Sequence, residues 1–420
     1  MKIKAYCRKP ASSSTSHRFP EGGCPQLLYD LLEELKGASE IHIAAYLFNN
    51  PIYLDYIKSF VNQGCKVYIT SLPIRGYDDK PVSVKGYDKK ISGREMAIKV
   101  YNEIQGVEGI DLYIFPHMYM WYGALYADKG ASYSFHVKAI LAKFKNEEPK
   151  CILSSGNFMF TDPPHSDSFI VIQGSEEHTQ VFSRFFGDVE SYSIPYSEYI
   201  NLYKDAKSDF NYSFVGKEID LDPNFVKNCF FTAPFYTIGG IGSNHYAGQR
   251  IIDVIKNAKK RIWICAQHFH DVVSFDPARR TIIDAIYNSH RENNQLDLRF
   301  LKQVAHSSLA DKRRAAIAET LFQYVLNAKQ RVNKLVHDKF LIVDNSLIVT
   351  TANYTSTQFA FGKRKMEMTF GKGDKQVKED YFSEVNGFLI LPNCDSNALQ
   401  VYEKHFEMLW DEGNDISINL

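Results

Sequence analysis

Val336-His337-Asp338-Lys339-Phe340-Leu341-Ile342-Val343-Asp344 and Phe135-His136-Val137-Lys138-Ala139-Ile140-Leu141-Ala142-Lys143 are two versions of one element. In each, a His and a Lys stand at i and i+2 at the head of a short apolar run. That pattern reads as a buried β-strand with both polar side chains on one face of a sheet. A single H-x-K carries little meaning in a chain of 420 residues. Two copies in register within a longer duplication carry a great deal.

The duplication extends to both sides of these strands. An amphipathic helix from Leu27 to Leu35 leads into the apolar run Glu40 to Phe48, and Arg250 to Lys256 leads into Arg261 to Phe269. A second helix follows in each half, then a strand, Cys65 to Thr70 in one and Asp297 to Phe300 in the other. Beyond the H-x-K blocks, Phe169-Ile170-Val171-Ile172 precedes a helix near Gln180, as Phe388-Leu389-Ile390-Leu391 does near Gln400. Helix and strand alternate throughout, which predicts an α/β fold of two pseudo-symmetric lobes. The expected lobes are 1–195 and 226–420. Residues 196–225, poor in periodicity and punctuated by Pro223, form the expected linker. Residues 73–92, with Pro73, Gly76, Pro81 and Gly86, read as an insertion after a strand, equally a binding loop or a solvated one.

Composition narrows the function classes. Lys plus Arg and Asp plus Glu are equal at 49 each, so no global field favours nucleic acid or anionic lipid, and any such attraction must be local. No run approaches the roughly 18 apolar residues of a membrane span, and the polar start has no signal-peptide core. A soluble, cytoplasmic protein without integral membrane association is expected. The seven cysteines are dispersed and lack a C-x-x-C pair, which fits reduced thiols.

Each H-x-K is followed by a turn ending in Asn and then by a carboxylate: Ser154-Ser155-Gly156-Asn157 and Asp167 in one half, Thr351-Ala352-Asn353 and Glu367 in the other. A pseudo-two-fold would bring together His136, His337, Lys138, Lys339, Asn157 and Asn353. Lys and Asn suit the oxygens of a phosphate and the charge added in its transition state. Paired imidazoles supply a nucleophile, forming a phosphohistidine, and a general acid that later activates water or an alcohol. Asp167 and Glu367 would hold the far nitrogens of the imidazoles. Ser155 and Thr351 in the turns, and Lys363 and Arg364 downstream, are candidate substrate contacts. The scheme needs no metal or other cofactor. His268-x-His270-Asp271 lacks a third ligand at metal spacing, so His270 and Tyr46 are expected at the cleft mouth instead. The aromatic run Phe115 to Tyr122 is expected in the core.

At these residues the sequence resembles the phospholipase D superfamily, whose signature is a duplicated H-x-K-x4-D followed by a Gly/Ser-rich turn ending in Asn. His337, Lys339, Asp344 and Asn353 match it, with Thr351-Ala352 in place of the usual Gly-Ser. His136, Lys138 and Asn157 match the first copy, but Lys143 stands where the family has Asp. The tyrosyl-DNA phosphodiesterase branch also lacks this Asp. The resemblance covers most of both halves. It implies two phospholipase D-like lobes, each a mixed sheet flanked by helices, with His136 as nucleophile and His337 as general acid.

The superfamily spans phospholipases, phosphatidyl transferases, nucleases and tyrosyl-DNA phosphodiesterases, so the fold leaves the substrate open. Between Asp311 and Lys339, Lys312, Arg313, Arg314, Lys329, Arg331, Lys334 and Lys339 outnumber Asp311, Glu319 and Asp338. That local excess leans towards a polyanion, and a metal-independent nuclease acting on nucleic acid is the preferred expectation. A phospholipase or transphosphatidylase is the alternative, and an inactive module that binds nucleic acid or a partner is the third. Both motif copies lie in one chain, so a monomer suffices for catalysis and a dimer is not required.

Overall fold

The computed structural model describes residues 1–8, 26–74, 77, 79–83, 88–115, 135–160, 165–205, 219–233, 235–270, 281–303, 316–334, 336–359, 368–370, 377–379, 384–394 and 397–416. The duplicated blocks build two eight-stranded sheets. The first runs Lys2–Arg8, Asp167–Gln173, Lys150–Ser154, Lys138–Lys143, Glu40–Ala45, Lys66–Ser71, Ile110–Ile114, Ile194–Pro195. The second runs Cys229–Thr232, Asn386–Leu391, Ser346–Thr350, Lys339–Val343, Arg261–Ala266, Asp297–Lys302, Lys329–Val332, Asn414–Asp415. In each, the fifth, sixth and seventh strands pair in parallel and the others antiparallel. These are the expected α/β lobes with mixed sheets.

The H-x-K strands are central, and Lys138–Lys143 and Lys339–Val343 are buried almost throughout. Burial on both faces is why they read as continuous apolar runs instead of alternating ones. Alternate residues of the first sheet serve different cores. Ile41, Ile43, Ile140 and Ile152 pack outward against the helices Gln26–Leu35, Pro51–Val61 and Gly93–Gln105. Ala44, Val137, Leu141 and Leu153 face a core continuous with the second lobe. Local signals start the helices: Asn50 accepts from the amides of Ile52 and Tyr53 ahead of Pro51, and Ser92 with Glu95 and Thr281 with Asp284 form capping boxes.

The lobes are interleaved. The strand Lys2–Arg8 packs on the helix Asn397–Asp411 of the second lobe, and the helix Glu176–Ser191 packs on the strand Cys229–Thr232. Parallel bridges Phe135 to Val385 and Ser166 to Val336 cross between them just before the H-x-K strands. The stretch expected as linker begins with a helix, Tyr196–Asp205, held to the first lobe where Tyr199 Oη accepts from the Ile74 amide at 3.0 Å and Tyr196 Oη donates to Asn102 at 2.8 Å. The insertion at 73–92 is anchored, because Ile74 and Tyr77 are buried and Tyr77 Oη lies 2.7 Å from Tyr101 Oη. Phe115 is buried and stacked on Phe135, while 116–122 lies outside the described residues. Among the described residues the cysteines form no disulfide with one another.

Candidate active site

His136 and His337 sit two residues ahead of the lysines that open the central strands, and the two lobes repeat one geometry. Lys138 Nζ donates to its own lobe's His136 carbonyl at 2.8 Å, and Lys339 Nζ donates to the His337 carbonyl at 2.6 Å. Both lysines are completely buried. The turns that carry the asparagines also match. Ser154 Oγ accepts from the Gly156 amide at 3.1 Å, and Thr350 Oγ1 accepts from the Ala352 amide at 3.0 Å. These bonds fold the chain back so that Asn157 and Asn353 follow at equivalent places. Each asparagine Oδ1 is buried and without a hydrogen-bond partner among the described residues.

The two halves are joined by what holds the far nitrogen of each imidazole. His337 Nδ1 donates to Asp167 Oδ1 at 2.7 Å, and His136 Nδ1 donates to Asn386 Oδ1 at 3.3 Å. Each bond crosses from one lobe to the other. Hydroxyls fix the two acceptors from behind: Ser155 Oγ donates to Asp167 Oδ1 and Thr351 Oγ1 to Asn386 Oδ1, both at 2.9 Å. Ser155 and Thr351 are thus supports of the imidazole partners rather than free donors. Glu367, expected to hold an imidazole, and Lys363 and Arg364 lie outside the described residues. The place beside His136 is taken by Asn386 and by Glu384, whose Oε2 lies 3.7 Å from His136 Nδ1.

Sequence reading missed Asn386, although its signal is present. Phe388 to Leu391 matches Phe169 to Ile172, and counting back two residues from Phe169 and Phe388 gives Asp167 and Asn386. Glu384 and its counterpart His165, two residues further back, were missed as well. His165 stacks on His337 with ring centroids 5.5 Å apart and planes 14° apart. Tyr46, expected at the cleft mouth, has its ring centroid 4.9 Å from that of His136 and 5.1 Å from Lys138 Nζ. The side chain of His270 and all of Asp271 lie outside the described residues.

Electrostatics separate the two histidines. Burial, then the charges of Lys138, Lys339 and His337, push His136 well below the ordinary imidazole range, with only Asn386 opposing. Burial and Lys339 also lower His337, but the Asp167 carboxylate works against them. Burial raises Asp167, yet His337, Lys339 and Arg8 outweigh it and hold its carboxyl well below the usual range. Lys138 is pushed well down by burial and by Lys339. Burial brings Lys339 down to about 8 against the pull of Asp167, Asp338 and Glu384. Glu384 is pushed up to about 7 by burial, with Asn386, Gln358 and both lysines opposing. Burial thus shifts both histidines and both lysines towards their neutral forms, while Asp167 is held as the carboxylate.

Lys143, the departure in the first motif, belongs to a different part of the lobe. It pairs in register with Glu40, and its Nζ donates to Glu40 Oε1 at 2.6 Å. At the matching place in the second lobe Arg261 stands beside Asp344, donating to its carbonyl at 2.8 and 3.0 Å. The charges are exchanged between strands. Asp344 also accepts from the amides of Lys259, Lys260 and Arg261 at 2.7–3.0 Å. Both pairs lie at the strand ends opposite Lys138 and Lys339, away from the two histidines.

A family model described as the PLD-like domain of cardiolipin synthase matches residues 251–388. No curated protein matches the sequence. Among solved structures, phosphatidylserine synthase from Haemophilus influenzae Rd KW20 is similar with a TM-score of 0.52 and 13% identity, over 93% of this chain and 85% of that one. Polyphosphate kinase from Porphyromonas gingivalis is similar with a TM-score of 0.48 and 10% identity; the match covers 97% of this chain and spans half, 50%, of the kinase. Yeast tyrosyl-DNA phosphodiesterase is similar with a TM-score of 0.46 and 11% identity, over 92% of this chain and 90% of that one.

Proposed function

The chain belongs to the phospholipase D superfamily, and from that premise we propose that it is a metal-independent phosphodiesterase, a nuclease by preference, working through a phosphohistidine. The observation that carries this reading is the unequal support of two convergent imidazoles, Asn386 behind His136 and Asp167 behind His337. A neutral amide leaves His136 uncharged, with its Nδ1 hydrogen committed to Asn386 and the Nε2 lone pair free to attack phosphorus. A carboxylate stabilises the imidazolium form of His337, which suits a proton donor.

In the first step a bond forms between His136 Nε2 and phosphorus while the bond to the leaving oxygen breaks, and that oxygen takes the proton from His337. In the second, His337 accepts a proton from water as the water oxygen attacks phosphorus and releases His136. Lys138, Lys339, Asn157 and Asn353 bind the non-bridging oxygens, whose charge grows in each transition state. The lean towards nucleic acid rests on the basic residues around the second motif. Of these, Arg331 is committed to Asp415 and the Trp410 carbonyl, and Lys312 to Arg314 lie outside the described residues. Phosphatidyl hydrolysis or transfer is the second reading, favoured by the family model's description and by the likeness to phosphatidylserine synthase. No helix among the described residues is long and apolar enough to cross a membrane.

The test is turnover of labelled single-stranded DNA, duplex DNA, RNA and phospholipid vesicles in excess EDTA. Wild type is expected to cleave nucleic acid, and His136→Ala and His337→Ala to lose roughly 10⁴–10⁶-fold. With a p-nitrophenyl ester, whose departure needs no general acid, and an alkaline quench, which a phosphohistidine survives, His337→Asn should retain covalent phosphate that His136→Asn lacks. Turnover of vesicles alone would move the assignment to the second reading, and turnover abolished by EDTA would remove the metal-independent mechanism.

A further inference from the structure

Pseudo-symmetry gives the site two flanks, and they are chemically unlike. Tyr46 follows Ala45, which pairs with Lys138, and Gln267 follows Ala266, which pairs with Lys339. At one corresponding place the site therefore has an aromatic ring over His136 and at the other a carboxamide. Gln267 Nε2 donates to Gln303 Oε1 at 3.2 Å, and Gln303 Nε2 donates to the Lys334 carbonyl at 3.1 Å and lies 3.4 Å from His165 Nε2. Gln303 is buried and His165 half-buried, with its ring parallel to His337. Burial and the adjacent His337 hold His165 down to about 4. It is thus a neutral ring at neutral pH, able to donate and accept hydrogen bonds without adding charge against the proton on His337.

In an in-line displacement the leaving oxygen departs opposite the attacking His136 and takes its proton from His337. The carbon skeleton on that oxygen then meets whatever flanks His337. We propose that His165 and Gln303 form a leaving-group subsite that takes an alkyl alcohol bearing further oxygens, a sugar or polyol, in preference to an aryl alcohol. This rests on the phosphodiesterase reading with His337 as acid. Gln303 is held by Gln267 and Lys334 and abuts His165 Nε2, while His165 Nδ1 has no hydrogen-bond partner among the described residues, so a further oxygen of the leaving alcohol can meet it where an apolar ring cannot. Sugar and glycerol alcohols share this chemistry, so the subsite serves either source of phosphodiester.

The experiment uses matched substrates in EDTA. One pair consists of thymidine 5′-phosphodiesters whose second ester is p-nitrophenyl or the 3′-hydroxyl of another thymidine. The other pair is phosphatidyl-p-nitrophenol and phosphatidylglycerol in vesicles. His165→Ala and Gln303→Leu should lower kcat/KM for the sugar or glycerol ester about tenfold more than for the aryl ester, and His165→Asn should recover part of that difference. Because p-nitrophenoxide leaves without a general acid, the variants are also read on the methyl ester, whose departure needs His337 but offers no further oxygens; an equal loss on the methyl and sugar esters would overturn the subsite. Equal losses on both members of a pair, with or without a lowered Tm, would overturn the subsite and leave the phosphodiesterase reading standing. Wild type that turned over neither pair would overturn the phosphodiesterase reading and the subsite with it.

Discussion

Asn386 differs from aspartate by one group, and a charge there would oppose the burial and the lysine charges that hold His136 down. Asn386→Asp places a carboxylate at His136 Nδ1 and favours the imidazolium, so that protonation silences the proposed nucleophile at a higher pH than in wild type. The acidic limb of the kcat/KM profile is expected to move up by about one pH unit, worth about 1.4 kcal/mol. An unshifted profile would mean that His136 is not the attacking group. Glu384 gives a second test, through stability. Burial lifts its carboxyl from the model-compound value of 4.5 to about 7. The folded protein then binds the extra proton between those values, so folding stability falls as pH rises through that window. Glu384→Gln should escape this fall and gain about 1–3 kcal/mol over wild type by pH 8, with little difference at pH 4.5, in urea unfolding at each pH.

At the scale of elements, the exchanged charges at the ends of the central strands set the terms. Asp344 satisfies three backbone amides at the entrance to the strand Arg261–Ala266, and its own φ of 51° is one that Asn tolerates better than Ala. Asp344→Ala is expected to cost about 2–4 kcal/mol and Asp344→Asn less, read by chemical denaturation. Lys143→Asp faces Glu40 with a like charge at a half-exposed place, so it should cost about 1 kcal/mol or less and leave kcat unchanged. Adding Glu40→Lys should restore the loss. The central strands were legible because period two and an apolar run coincide there, and that coincidence also exposed the two H-x-K pairs. Asn386 was not legible as a partner, because chemistry alone points to a downstream carboxylate and the spacing offered Glu367 first. Only the register of the duplicated strands, carried two residues back, singles out Asn386. His165 and Glu384 gave no signal of their own, since their place follows from bridges between segments far apart in the chain. The helix Tyr196–Asp205 was lost in the expected linker because its Tyr and Ser residues hide a buried face.

Across the whole molecule, the seam between the lobes is tight at Gly387. A Cβ on Gly387 would come within 2.5 Å of Leu153 Cδ1 in the other lobe and 3.0 Å of Phe231. Gly387 follows Asn386 directly, and its amide donates to Thr351 Oγ1 at 3.0 Å. Gly387→Ala should therefore cost about 1–3 kcal/mol and lower kcat as well, since moving this strand moves the support of His136. A loss of stability with kcat intact would show that the catalytic set tolerates a wider gap between the lobes.

The crossing of Asp167 to one histidine and Asn386 to the other has a consequence for the way such a site diversifies. In a dimer of identical subunits every substitution is written twice, so both imidazoles would carry the same support and both flanks the same lining. Joined in one polypeptide, the copies are released from that bookkeeping. One change alters one side only, and the places where the halves differ, 46 from 267, 143 from 344, 165 from 384 and 167 from 386, are where a symmetric scaffold has acquired a direction.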